Sequence, residues 1–138
     1  MLPVKRAYDA LISDETLKNA LNAARGEELK EQTIYMLAIP ETFQNKKSAP
    51  IIRIESVNNY GSFYFDDEAN AETVEIQVST MANSMKHLEV LIPLIDEAMR
   101  SSGFEQYADK TYIEPDFKFK YNARQYKGVF VKKSREKE

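Results

Sequence analysis

Three stretches of this chain carry side chains that could do chemistry. The only histidine is His87, within NSMKHLEV. An imidazole that ligates a metal or moves protons needs partners at defined spacing. The sequence offers no second histidine to join it, so a helix-flank or interface position is the simpler reading. FDDEANAE, residues 65–72, gathers Asp66, Asp67, Glu68 and Glu72. A calcium loop of the EF-hand kind alternates its ligands, places a glycine centrally and closes on a glutamate, and this stretch does not. Its acids read as a solvated hairpin tip or a patch for a partner. A carboxylate pair for hydrolysis stays open, because any acidic loop passes that test.

The third stretch, FKFKYNARQYKGVFVKK (117–133), alternates aromatic and basic residues. On a strand, successive side chains point to opposite faces, so Phe117, Phe119 and Tyr121 share one face while Lys118 and Lys120 share the other. Platforms that stack bases need aromatics and cations exposed together, and here the period separates them. A solvated face or a basic face for docking protein fits that pattern better. A nucleic-acid-binding module built on this segment remains the alternative.

No other chemical signature is found. With four glycines and neither a GxSxG nor a Walker pattern, the chain has no phosphate-cradling loop and no nucleophile elbow. The absence of cysteine removes disulfides, thiolate metal sites and cysteine nucleophiles. The sequence therefore presents no catalytic residue, no cofactor site and no metal site, and reads as a protein that is not an enzyme.

The elements that carry these stretches fit one domain of 138 residues, long enough to bury a core unaided. The start, MLPVKRAYDALISDE, lacks the apolar stretch of a signal peptide. No segment reaches the ~20 apolar residues of a membrane span. A reducing cytoplasm is the expected place of synthesis. Net charge is −3, too low for a general polyanion binder. It is also unevenly placed: residues 117–138 hold eight of the 19 basic and two of the 22 acidic residues, a net of +6, leaving −9 on the remainder.

Periodicity predicts a broken helix over 4–25, with Val4, Tyr8, Leu11 and Ile12 on one face and Leu17, Leu21 and Ala24 continuing the stripe. Ser13 is the expected cap of its second half and Gly26 its stop. TIYMLAIP (33–40), APIIRIESV and ETVEIQVST (72–80) read as strands, the last two joined by a long hairpin through NNYGSFYFDDEANA. A second helix spans 83–102, with Met85, Leu88, Leu91, Ile92, Ile95 and Met99 in one stripe, a kink expected at Pro93, and Gly103 as cap. Val90 and Leu94 lie on a flank shared with His87 and Ala98, open to a further contact. KTYIEPDFKFKYN and RQYKGVFVKK read as two closing strands. The expected fold is α+β: a single antiparallel sheet with two main helices packed on one face. One domain covers 1–131, and 132–138 form a basic, flexible tail.

This order of pieces resembles the tail-completion proteins of long-tailed bacteriophages, also called tail terminators or head-to-tail joining proteins. The resemblance lies in the broken helix YDALISDETLKNAL, IYMLAIPE, APIIRIE, ETVEIQVST running into MKHLEVLIPLIDEAM, and the closing ARQYKGVFV. It spans residues 4–131. It implies an α+β subunit that forms a ring, six-fold in that family, on the end of the tail tube. The ring stops tube growth and offers a surface to the head. The implied partners are other copies of the chain, a tail-tube protein and head or neck connector proteins. The implied location is the virion tail or neck, after assembly in the host cytoplasm. The family supplies no catalytic residues. The residues themselves suggest two complementary patches for such a ring: Lys118, Lys120, Arg124 and Lys127 on one, and Asp66, Asp67 and Glu68 on the other, with Val90 and Leu94 as a flank contact.

Overall fold

A computed structural model describes residues 2–29, 31–41, 44–65 and 68–131, and of 62–65 and 68–70 the backbone alone. Helix α1 (Pro3–Ile12) opens with proline in its first turn, where a missing N–H costs nothing, and buries Val4, Ala7 and Leu11. Helix α2 (Glu15–Arg25) buries Leu17 and Leu21 and stops at Gly26, whose φ of 79° is left-handed. The cap between them is Asp14, whose carboxylate accepts from Leu17 N–H at 2.8 Å. Ser13 instead donates its hydroxyl back to the Asp9 carbonyl at 2.6 Å. The cap thus falls one residue later than expected, since Asp14 stands where a side-chain oxygen reaches the third N–H of the next turn.

Strand β1 (Ile34–Met36) is followed by a short 3-10 turn at Lys46–Ser48. Strands β2 (Ile51–Phe65) and β3 (Glu68–Ala82) form the long hairpin. Helix α3 (Met85–Ser101) runs on through Pro93, capped by Ser84, and leads to β4 (Glu105–Ile113) and β5 (Lys120–Val131). Gly103 has φ 92°, and Phe104 folds back, its N–H on the Met99 carbonyl at 3.0 Å. Among the described residues the five strands make one sheet in the order β1-β2-β3-β5-β4.

The expected α+β class is what the structure has, one mostly antiparallel sheet with helices on one face, and two details differ. The sheet is antiparallel except at β1, which runs parallel to β2 with Ile34 opposite Ile52. Parallel neighbours need a crossover of about a dozen residues, and residues 37–50 supply one. The closing strands also begin and end elsewhere: β4 starts at Glu105, the chain turns over 114–119, and β5 is continuous from Lys120. Lys118 sits in that turn with φ 62°, so the alternation of residues 117–121 belongs only partly to a strand.

The three helices cover one face of the sheet. Leu11, Leu17, Leu21, Leu91, Ile95 and Met99 pack on Ile52, Ile54, Val74, Ile76, Val78 and Tyr126. Met85, expected in the α3 stripe, is 49% exposed, while Ala98, placed on the flank, is buried. Arg25 fastens the crossover to α2: its guanidinium donates to Thr33 Oγ1 at 2.8 Å and to the Pro50 carbonyl at 3.3 Å. Thr33 donates to the same carbonyl at 2.6 Å. Burial lowers the pKa of that guanidinium.

Candidate functional site

Among the described residues no helix covers the opposite face of the sheet. Side chains alternate along each strand, and the register sets Ile51, Arg53 and Glu55 of β2 beside Met81, Ser79 and Gln77 of β3. Tyr121, Ala123, Gln125 and Lys127 of β5 continue that row. At one end of this face a second, smaller apolar cluster forms from Ala49, Ile51, Met81, Phe119 and Tyr121. Between the segment after β1 and the β4–β5 turn it opens into a groove of about 470 Å³, whose walls include Leu37, Arg53, Tyr112, Phe117, Phe119 and Tyr121. Tyr112 stacks on Tyr121 with ring centres 4.9 Å apart, and Phe117 meets Phe119 at 5.8 Å.

The groove mixes exposed apolar side chains with Gln44, Arg53, Glu114 and Asp116, and Leu37 in its wall and Lys118 beside it are conformationally costly. Leu37 is 61% exposed, Ile113 61% and Phe117 42%. Leu37 and Lys118 are the two described non-glycine residues with positive φ, at 68° and 62°. A single left-handed position costs an L-residue roughly 1 kcal/mol, and strain of this kind gathers at sites that bind. Arg53 spans the groove wall, donating to the Tyr121 hydroxyl at 3.0 Å and pairing with Glu55 at 3.1 Å. Its Nε–H has no acceptor among the described residues. The Glu114 carboxylate is engaged by its own turn, accepting from Asp116 and Phe117 N–H at 2.7 and 2.6 Å.

On the helix-covered face the polar groups engage one another, though the buried Asn122 Oδ1 has no partner among the described residues. Arg124 donates through Nε and Nη2 to Asp96 of α3, at 2.9 and 2.7 Å, and through Nη1 to Asp109 of β4 at 2.9 Å. Tyr126 donates to Asp96 as well, and Asn122 donates to Asp109 and Thr111. Burial pulls the Arg124 pKa down, but the hydrogen bonds with Asp96, Tyr126 and Asp109 more than offset it, and the net shift is upward. Burial first, and then the Asp96 carboxylate, raise the Tyr126 phenol. This bidentate arrangement locks α3 onto two strands.

The residues expected in the basic patch are therefore dispersed. Lys118 lies in the β4–β5 turn and Lys120 opens β5 opposite Ile113. Arg124 faces the helices and is held by two carboxylates. Lys127 faces the open side, its ammonium 5.2 Å from the Tyr107 ring. Burial and then a hydrogen bond with Glu75 push the Tyr107 phenol up to about 12. Of the acidic patch, Glu68 pairs its backbone with Phe65, and Asp66 and Asp67 lie outside the described residues. Val90 is 54% exposed, while Leu94 is partly buried against the main core. The Nδ1 of His87 is buried without an acceptor among the described residues.

Among the described residues no three His, Asp or Glu side chains converge to hold a metal ion, and no helix is long and apolar enough to cross a membrane. Sequence reading missed Arg53, Tyr112 and Asp96. Arg53 was visible as the one cation in an otherwise apolar run, IIRI. Asp96 had no comparable signal, since an acid on an amphipathic helix ordinarily faces water.

The class defined by this geometry is an α+β domain whose sheet is sealed on one face and grooved on the other. Neither a family model nor a curated protein matches the chain. Among solved structures 21 chains match. One comes from the virion of a native gene transfer agent particle: TM-score 0.65 at 9% identity, over 94% of this chain and 95% of that one. At that identity the likeness establishes a shared fold.

Proposed function

We propose that this chain is a structural subunit of a phage-like virion, of the kind that caps the tail tube and joins the tail to the head. It works there as a ring, six-fold as in the family it resembles, beside a tail-tube protein and head or neck connector proteins. The observation that carries the reading is the fold match, end to end on both chains, with a chain of a gene transfer agent virion. The order of sequence elements, which independently resembles tail-completion proteins, supports the same conclusion. An open, grooved face and a sheet edge formed by β4, exposed at every position but Ala108, suit a subunit that exists to be contacted.

The role is structural, not catalytic. A neighbouring neck or connector protein of the same particle is the closest second reading, because that resemblance covers stopping the tube and joining the head alike. Nucleic acid is a weaker candidate partner: Phe119 and Tyr121 are buried in the small cluster, whereas bases stack on exposed rings. The test is a stop codon at Tyr8 in the genetic element that encodes the chain, followed by electron microscopy of the lysate. Filled heads beside detached tails, some of uncontrolled length, are the expected outcome. Intact infectious particles would overturn the role.

A further inference from the structure

Strand β4 ends the sheet, pairing with β5 on one side and with nothing on the other among the described residues. Its nine residues are exposed at every position but Ala108. A free edge offers its outward N–H and C=O groups to any extended strand, and proteins ordinarily blunt such edges with bulges or charges. The first half of β4 is blunted in that way, because its pairing with β5 slips between Gln106 and Ala108. The second half is regular. Asp109, Lys110, Thr111, Tyr112 and Ile113 each face one residue of β5 in turn, and Tyr112 and Ile113 are well exposed. Glu114 continues the ladder, its N–H on the Phe119 carbonyl at 2.9 Å. Hydrogen-bonding direction alternates along a strand, so Tyr112 and Lys110 also turn their amides toward β5. Thr111 and Ile113 turn theirs outward.

We propose that this edge pairs antiparallel with the same edge of a second copy of the chain, about a two-fold axis at Tyr112. The stretch reads KTYIE, residues 110–114, and is complementary to itself when reversed. With Tyr112 opposite Tyr112 of the second copy, Lys110 falls opposite Glu114, and Glu114 opposite Lys110. Thr111 falls opposite Ile113, a β-branched pair, and these two exchange the outward backbone hydrogen bonds. Opposite charges, paired aromatics and β-branched neighbours are the cross-strand combinations that stabilise sheets. Side-chain direction agrees. Lys110 lies 5.4 Å from the centre of the Tyr112 ring, and Tyr112 and Glu114 both line the open-face groove, so the three stand on one side. Residues directly opposite share a face, so any two-fold register is centred on a residue, and the neighbouring choices fit worse. Centring on Lys110 sets lysine against lysine, and centring on Asp109 sets aspartate against aspartate. Centring on Thr111 leaves Asp109 opposite Ile113, and centring on Ile113 brings Pro115, which has no N–H, opposite Thr111. A two-fold contact closes on a pair of copies. It is therefore separate from the contacts of a cyclic ring, and it goes beyond the virion reading without depending on it.

The test uses the full chain, free in solution. Sedimentation over a concentration series is expected to show a monomer–dimer equilibrium. The chain has no cysteine, so single thiols report the contact. Tyr112→Cys should form a disulfide-linked homodimer on mild oxidation, because its two copies meet at the axis in a non-hydrogen-bonded pair, where strands come closest. Tyr107→Cys, in the bulge, should not. Lys110→Glu and Glu114→Lys each set like charges opposite one another and should weaken dimerisation roughly ten-fold. Mixed together, the two chains regain opposite charges in both pairs, and native mass spectrometry should show the heterodimer in excess over either homodimer. Glu114 also caps its own turn, so Ile113→Pro supplies an independent variant. It removes an outward N–H and none directed at β5, and should abolish the dimer while unfolding curves show a folded chain. A chain that stays monomeric at every concentration would overturn the proposal and leave the edge to a different protein. So would a heterodimer no more abundant than the homodimers, a dimer that survives Ile113→Pro, or equal cross-linking through Tyr107→Cys and Tyr112→Cys. None of these results bears on the Tyr8 stop codon, and intact particles from that stop codon would leave this contact standing.

Discussion

The two faces of the sheet follow different rules. On the helix side, apolar residues at every second position of β2 and β3 are sealed by three helices, and the polar groups among them, Arg124, Asp96, Tyr126 and Asn122, bond to one another. On the open side β3 presents Glu75 and Gln77 and β5 presents Gln125 and Lys127, with a buried apolar cluster at one end, half covered by loops, and exposed Tyr60, Tyr107 and Val129 toward the other. The comparison separates charges that hold the fold together from charges left facing solvent. Arg124 and Lys127, three residues apart on β5, fall on opposite sides of that divide.

The largest effect should come from breaking the covered network. Arg124→Ala leaves the Asp96 carboxylate without its bidentate partner; the cost for a fully buried pair is about 3–5 kcal/mol, and this partly buried pair should approach the lower end. Denaturant titration should show a midpoint well below that of the parent chain. Leu91→Ala, in the middle of the α3 stripe and fully buried, should cost about 2–5 kcal/mol through lost burial and the cavity left behind. If either change proved neutral, the helix side would not be the sealed side.

A smaller effect is read by pH. The folded-state pKa of Tyr126 is raised, so the unfolded chain ionises first, near the ordinary tyrosine value of about 10. Stability from this group is complete below that pH and declines as pH rises toward the folded value. The slope is about 1.4 kcal/mol per pH unit for one proton. Tyr126→Phe should lack this share of the decline, while Tyr107, whose phenol is also raised, contributes in both chains; unfolding measured above pH ~10 in the two checks the difference. The smallest effect is expected on the open side: Lys127→Ala should change stability by no more than about 0.5 kcal/mol. A loss near that of Arg124→Ala would erase the contrast between the two residues.

Much of the fold was legible because strong periods were present. The three-and-four spacing of Leu88, Leu91, Ile95 and Met99 and the two-residue spacing of Val74, Ile76 and Val78 each have one physical reading, and α3 and β3 follow it. The stretch 117–121 misled for an instructive reason. Its aromatic and basic alternation imitates a strand, but Lys118 adopts a left-handed turn, and a period of two over five residues cannot distinguish the cases. The parallel pairing of β1 was hidden because strand direction depends on where the crossover leads. The Asp96–Arg124 bridge joins residues far apart in sequence, and no local pattern encodes it. The groove inherits both difficulties, being built from a turn and four strand ends that meet only once the sheet is assembled.

The most direct test of the virion assignment is to locate the chain in purified particles, by gold labelling of a tag fused after Glu138. Gold confined to the junction between head and tail is the expected result. Particles without gold, or gold spread along the whole tail, would contradict it.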